Sequence, residues 1–93
     1  MSDVMVEGLP VSYAGLPELY RGGMRRYLEG GVRPGSFLSA VIQNNLAKAL
    51  MFADESVTIS DLRAITMWLH CHAPGAAFGS QNAVNSWIAK RRL

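Results

Sequence analysis

The sequence has little that would cross-link it, anchor it in a membrane or direct it out of the cell. Only one of its 93 residues is cysteine, which excludes an internal disulfide and fits a reducing compartment. The longest apolar run, residues 47–53, contains Lys48 and is much shorter than the roughly 20 residues of a membrane span. The first residues lack the basic segment and apolar core of a signal peptide. These absences predict a soluble cytoplasmic protein that does not bind membranes.

Patterns that would support catalysis or metal binding are also missing. No Gly-x-Ser-x-Gly motif occurs, and the acidic residues are few and lie mostly in predicted turns. His70, Cys71 and His72 are consecutive, and successive helical residues point about 100° apart, so these three cannot converge on one ion. No second cluster of ligands is present to complete a metal site. We therefore expect a protein that is not an enzyme, with no catalytic residue, metal or cofactor.

What the chain does have is a large share of apolar residues. It is 49% hydrophobic and only 17% charged, whereas charged residues average about 25% of a globular protein. A single domain of this length hides only roughly 60–65% of its unfolded surface, and surplus apolar surface is often buried against another copy. We therefore expect a homo-oligomer. The pair Gly22–Gly23 within a helical pattern indicates a break, or close approach by another helix or a ligand.

The spacing of apolar residues predicts an all-α fold. We expect a compact bundle of about four helices over residues 16–93 and no sheet. An irregular N-terminal arm, residues 1–15, precedes the bundle and is expected to be extended around Val4–Val6 and Val11–Tyr13. The predicted helices cover residues 17–30, 34–53, 59–72 and 81–91, with a turn at residues 54–56. Thr58 and Asp61 resemble a capping box, and Ser80 is a candidate N-cap. The residues predicted to form the core are Leu38, Val41, Ile42, Leu50, Leu62, Ile65, Leu69 and Trp87.

Asn44 and Asn45 fall in the middle of the second predicted helix, on or near its apolar face. A buried asparagine must find hydrogen-bond partners, so one interpretation is a bond across an oligomer interface that fixes its register. The other is a polar position at the boundary of the core. The sequence leaves both open.

The segment from Arg21 to Leu38 combines charge, glycine and aromatic residues. It carries four arginines up to Arg33, opposed only by Glu29. The planar guanidinium group of arginine can donate two hydrogen bonds to phosphate oxygens, and a tyrosine ring can stack on a base. A helix that starts near Ser36 offers backbone amides that have no partner within the helix. The predicted anion site consists of Arg25, Arg26, Tyr27, Arg33, Gly35 and Ser36, with Tyr20 as a second candidate for stacking. The alternative is a solvated basic face beside an ordinary turn, since the motif lacks the Gly-Lys-Ser/Thr ending of a P-loop.

Four stretches of the sequence are considered together: Gly22-Gly-Met-Arg-Arg-Tyr-Leu-Glu-Gly-Gly-Val-Arg-Pro-Gly-Ser-Phe-Leu-Ser-Ala-Val41, Ala73-Pro74, Gly79-Ser80 and Trp87-Ile88. In this combination the chain resembles small accessory proteins encoded by tailed phages and prophages. The resemblance covers about residues 16 to 90. It implies a protein that counters host defence in the host cytoplasm, by binding rather than catalysis.

Two routes fit this resemblance. One is an oligomeric sponge that sequesters a small anionic nucleotide, such as a cyclic nucleotide immune signal, and the basic helix start favours it. The other is an inhibitor that covers a host defence protein, as anti-CRISPR proteins do. A small DNA-binding regulator is a third possibility, although a formal charge of +2 is low for general nucleic-acid binding.

Overall fold

A computed structural model describes residues 4–53 and 57–92. Most of these residues are helical, as predicted, but the fold is not strictly all-α because it includes a small two-stranded sheet. Within the described ranges there are five α-helices rather than about four. In chain order the elements are β1 (Val4–Val6), β2 (Leu9–Val11), α1 (Glu18–Gly30), α2 (Ser36–Ile42), α3 (Leu46–Phe52), α4 (Ile59–His72), a 3-10 turn (Gly75–Ala77) and α5 (Gln81–Arg91).

The N-terminal arm was expected to be irregular, but β1 and β2 pair as an antiparallel hairpin in which Val4 lies opposite Val11. The turn consists of Glu7 and Gly8, and both have positive φ, the backbone form that matches the twist of two-residue hairpins. Val6 and Val11 are fully buried in the main core. Strands of three residues are too short for their alternation to stand out in the sequence.

Helix α1 begins directly after Pro17 and ends at Gly30, with Gly31 as its C-cap, in agreement with the sequence. Gly31 has a φ of 67° and lies so close to α5 that a Cβ atom there would be 2.7 Å from Cβ of Arg91. The pair Gly22–Gly23 does not break the helix. A Cβ on Gly23 would lie 3.5 Å from Cδ2 of Leu38, so the helix that approaches this position is α2 of the same chain.

The predicted second helix is in fact two helices, α2 and α3. Asn44 adopts a left-handed conformation with φ of 61°, and the side chain of Asn45 accepts a hydrogen bond from the amide of Lys48, which starts α3. Asparagine suits both positions. Its short polar side chain is compatible with a positive φ, and its side-chain oxygen can cap a helix. The change of direction after Asn44 turns Leu50 outward, where it is 57% exposed, so its assignment to the core was wrong.

The last two helices follow the sequence closely. Thr58 and Asp61 form the predicted capping box at the start of α4, and Ser80 caps α5 by accepting from the amide of Ala83. Among the residues predicted for the core, Val41 and Leu62 are half-buried. The predicted turn at residues 54–56 lies outside the described residues. Five of the predicted core residues are buried as expected: Leu38, Ile42, Ile65, Leu69 and Trp87.

The core lies between the hairpin, α1, α2, α4 and α5. Both tryptophans are buried in it and donate hydrogen bonds from their indoles, Trp68 to the carbonyl of Ser12 and Trp87 to the carbonyl of Tyr27. Among the described helices, none combines the length and the apolar character needed to cross a bilayer.

Candidate anion-binding site

A pocket of about 350 Å³ lies between α1 and α2, along the connection that joins them. It brings together four of the predicted site residues, which are Arg26, Arg33, Gly35 and Ser36. The rest of its lining is largely apolar: Leu19, Tyr20, Gly23, Val32, Pro34, Phe37 and Leu38. The arrangement is therefore an apolar recess with two guanidinium groups at its boundary.

Arg26 is exposed on α1, and its side chain lies back over the preceding turn. A Cβ on Gly22 would be only 3.2 Å from Nη1 of Arg26, so glycine at this position leaves room for the guanidinium group. The side chain of Arg26 forms no hydrogen bond or ion pair with any residue in the described part of the chain. Its donors are therefore free to bind an anion in the pocket.

Arg33 lies in the connection after α1, and its orientation is fixed by α5. Its Nη2 atom donates a hydrogen bond of 2.7 Å to Oδ1 of Asn85. An amide oxygen holds the guanidinium group without neutralising its charge, which leaves the remaining donors and the full charge for a ligand. Asn85 was not predicted from the sequence, because nothing local links it to a residue that precedes it by 52 positions.

Tyr20 and Phe37 form an aromatic wall in the pocket. Their ring centroids are 5.8 Å apart with a tilt of 43° between the rings, and both residues are half-buried. Leu19 and Val32 add exposed apolar surface nearby, at 75% and 47% exposure. Such a wall can hold a flat or apolar part of a ligand while the arginines bind its charge.

Gly35 and Ser36 place the start of α2 at the pocket. The hydroxyl of Ser39 donates a hydrogen bond of 2.9 Å to the carbonyl of Pro34, which fixes the turn that leads into the helix. Helix α2 has only seven residues, so its dipole is weaker than that of a long helix. The positive character of the pocket therefore comes mainly from its two arginines.

Two of the predicted site residues lie elsewhere. Arg25 points to the hairpin side of α1, where its Nε atom is 3.3 Å from a carboxylate oxygen of Glu29 and its guanidinium group lies over the ring of Tyr13. Tyr27 is fully buried and donates a hydrogen bond of 2.5 Å to the carbonyl of Ala77. Burial raises the pKa of Tyr27 above its ordinary value. The 100° step between helical residues, about one quarter of a turn, separates Arg25 from Arg26 and puts Tyr27 on the core face.

Lys90, Arg91 and Arg92 form a second basic cluster, and the first two have a structural role in the described residues. Lys90 and Arg91 both form ion pairs with Glu7 in the hairpin turn. The hydrogen bond from Lys90 lowers the pKa of Glu7 despite some desolvation. Arg91 also stacks on Trp87, with 4.7 Å between the guanidinium carbon and the ring centroid. These contacts connect the hairpin to α5.

The segment His70-Cys71-His72 ends α4, and all three residues are exposed. His70 forms a hydrogen bond with the carbonyl of Thr66 through Nδ1, and its ring lies edge-on to Phe78. No group of three or more histidine, cysteine or acidic side chains suited to a metal ion was found in residues 4–53 and 57–92.

Comparisons of this chain with protein-family models, with curated proteins and with solved structures gave no match. The functional interpretation therefore rests on the pocket between α1 and α2 and on the chemistry of its residues.

Proposed function

We propose that this is a non-enzymatic binding protein that holds a compact anion with a flat apolar part in the pocket between α1 and α2. The observation that carries the proposal is that Arg26 and Arg33 border one recess whose wall is formed by Tyr20 and Phe37. A nucleotide has this combination of phosphate and base. The resemblance to phage accessory proteins makes a nucleotide-type immune signal of the host the first ligand class to test.

The expected affinity follows from these contacts. A hydrogen bond to a charged group contributes about 1.5–3 kcal/mol, and stacking of a base on an aromatic side chain about 1–3 kcal/mol. Two arginine contacts and one stacking contact thus give about 4–9 kcal/mol before the cost of ordering the ligand. That range sets an upper limit on the affinity, near a micromolar dissociation constant, because the cost of ordering the ligand has still to be subtracted.

The pocket also limits the size of the ligand. Its volume of about 350 Å³ is near the lower end of the roughly 300–1,000 Å³ typical of small-molecule sites. One nucleotide-sized group fits this space. A cyclic dinucleotide or trinucleotide would extend beyond it and would need a second surface for the remainder, such as the same pocket in another copy of the chain.

The residues around the pocket favour binding over catalysis. Its lining, taken over the described residues, includes no carboxylate, imidazole or thiol. Hydrolysis or transfer of a phosphate group would need a general base, a nucleophile or a bound metal at the ligand. The two arginines can hold an anion, and the hydroxyl of Ser36 has no carboxylate or imidazole beside it in the described lining to activate it as a nucleophile.

Isothermal titration calorimetry of the wild-type chain tests this proposal directly. The panel should contain inorganic phosphate, cyclic mono-, di- and trinucleotides, ADP-ribose derivatives and one uncharged nucleoside. We expect saturable binding of at least one phosphorylated nucleotide and none of the uncharged nucleoside. Flat traces across the panel would contradict the proposal.

A second candidate function is inhibition of a host defence protein by direct binding. The observation in its favour is the apolar surface of α3, where Leu46, Met51 and Phe52 are all at least half exposed. Contiguous exposed apolar surface often marks an interaction site. This function predicts flat calorimetric traces together with a stable complex with one host protein.

A DNA-binding regulator would instead lose duplex binding steeply with added salt.

A further inference from the structure

A second hollow, with a volume of about 240 Å³, lies between α2 and α3 beside the pocket already described. Arg33, Pro34 and Ser36 line both spaces, so the pocket and the hollow meet along the connection between α1 and α2. The rest of the lining of the hollow comes from α2 and α3 and includes Lys48. Two cationic side chains, those of Arg33 and Lys48, therefore border the same space.

The break between α2 and α3 brings Lys48 to this hollow. Lys48 follows Ser36 by 12 positions in the sequence. In one continuous helix these two residues would lie about 18 Å apart along the axis. The left-handed conformation of Asn44 ends α2 and changes the direction of the chain, so α3 lies beside α2 and both residues line one space.

The positive charge of the hollow is available to a ligand. The ammonium group of Lys48 is exposed and has no hydrogen bond or ion pair with a described residue. Over the part of the chain that the structure describes, no acidic side chain belongs to the lining. A volume of about 240 Å³ equals that of about eight water molecules, so a phosphate group fits with part of its hydration shell.

We propose that the ligand of this protein carries a second phosphate group, which binds in the hollow between Arg33 and Lys48. This inference rests on the proposed function, because the first phosphate and the flat part of the ligand occupy the pocket between α1 and α2. Arg33 lies where the two spaces meet and contacts both phosphates, whereas Lys48 contacts only the second. The ligand class is a nucleotide with two phosphates, which are either adjacent in a diphosphate or attached at separate positions of the ribose.

Calorimetry of the full chain with matched nucleotides tests this inference. The probes are the 5′-monophosphate, the 5′-diphosphate and the 3′,5′-bisphosphate of adenosine, and the same three compounds of guanosine. We expect at least one doubly phosphorylated probe to bind about three- to tenfold more tightly than the monophosphate of the same base. The gain is modest because Lys48 is exposed, where water and salt screen its charge. The probe with the larger gain shows whether adjacent or separated phosphates fit the site.

Three variants assign the gain to Lys48. The quantity compared is the dissociation constant of the monophosphate divided by that of the doubly phosphorylated probe. Lys48→Gln should bring this ratio close to one, because it removes the charge but keeps a long side chain, and Lys48→Arg should retain most of the wild-type ratio. Arg63→Gln is the matched control, since it removes one exposed positive charge from α4, away from both spaces. It should keep the wild-type ratio, and circular dichroism should show the wild-type helical signal for all three variants.

The outcomes separate this inference from the proposed function. A wild type that binds a monophosphate but gains nothing from the second phosphate would overturn the inference and leave the proposed function standing. A wild-type ratio in Lys48→Gln, or an equal loss in Arg63→Gln, would overturn it as well. Flat traces for all six probes would also overturn the inference. The proposed function would fail with it only if the wider panel of nucleotides gave flat traces too.

Discussion

Arg33 and Asn85 are joined by a hydrogen bond of 2.7 Å between Nη2 and Oδ1, although 52 residues separate them in the chain. Both residues are exposed, so the bond is not needed to satisfy a buried group. Its effect is to orient one arginine of the pocket through a residue of α5. Asn85 therefore acts as a positioning residue for the proposed site.

Asn85→Ala is expected to weaken binding of a phosphorylated ligand about three- to tenfold without changing stability much. The physical reason is that Arg33 then has to be ordered by the ligand itself, at a cost comparable to one ordinary hydrogen bond. Calorimetry measures the affinity, and Asn82→Ala, an exposed asparagine on the same helix, is the control. Equal affinities for the two variants would show that Asn85 does not position Arg33 for ligand binding.

Tyr27→Phe is expected to lower the free energy of unfolding by about 1–3 kcal/mol, because it leaves the buried carbonyl of Ala77 without its donor. Tyr13→Phe is the comparison. The hydroxyl of Tyr13 binds Glu29 at a partly solvated position, where water replaces the lost partner, so its cost should be smaller. Urea unfolding measures both. A larger loss for Tyr13→Phe would show that Tyr27 is not a core hydrogen-bond donor.

Asn45→Ala is expected to cost about 0.5–2 kcal/mol in unfolding free energy, the usual effect of removing an N-cap. Asn44→Gly, at the neighbouring position with positive φ, should be neutral or slightly stabilising, since glycine adopts that conformation without strain. Thermal unfolding monitored by circular dichroism compares the two. If α2 and α3 formed one continuous helix, the order of the two effects would reverse.

Gly31→Ala is expected to be strongly destabilising. The left-handed conformation alone costs about 1–2 kcal/mol for alanine, and the new Cβ would clash with Arg91 at 2.7 Å. Gly30→Ala is the matched control, because Gly30 is helical and a Cβ there meets only the side chain of Val32 at 3.8 Å. Denaturant titration should show a clear loss for the first variant and none for the second. Similar stabilities would contradict the close packing of α5 on the end of α1.

The parts of the fold that could be predicted have strong local signals. Thr58 with Asp61, and Ser80, mark the starts of α4 and α5 with caps that act within three residues. The break between α2 and α3 escaped prediction because the apolar spacing continues across it. Asn44 and Asn45 carry the only local sign, and asparagine within an apolar pattern is equally compatible with a buried polar residue. The hairpin was missed because each strand has three residues.

The site could be predicted in part for a similar reason. Arg33, Gly35 and Ser36 follow one another through a short connection, so their proximity is guaranteed by the chain itself. Arg26 joins them because the side chain of Leu38 on α2 lies against α1 at Gly23. The aromatic wall and Asn85 depend on how whole helices pack, and no pattern in the sequence encodes that contact. The prediction for Tyr27 was wrong because it relied on the aromatic ring as a stacking group. The position of Tyr27 on the apolar face of α1 indicates burial instead.

Arg91 would be a poor control for the two arginines of the site. Arg91 pairs with Glu7, stacks on Trp87 and lies against Gly31, so its loss would disturb the fold. Arg63 is a better control. It is exposed on α4, and its side chain has no hydrogen bond or ion pair with a described residue.

The affinity of Arg26→Ala and Arg33→Ala for a phosphorylated nucleotide, measured by calorimetry beside Arg63→Ala, tests the central claim most directly. Each arginine contributes a charge-assisted hydrogen bond, so each site variant should bind about ten- to a hundredfold more weakly than the wild type. Arg63→Ala should match the wild type, and all three should unfold at nearly the same denaturant concentration. Wild-type affinity in both Arg26→Ala and Arg33→Ala, or an equal loss in Arg63→Ala, would contradict an anion site between α1 and α2.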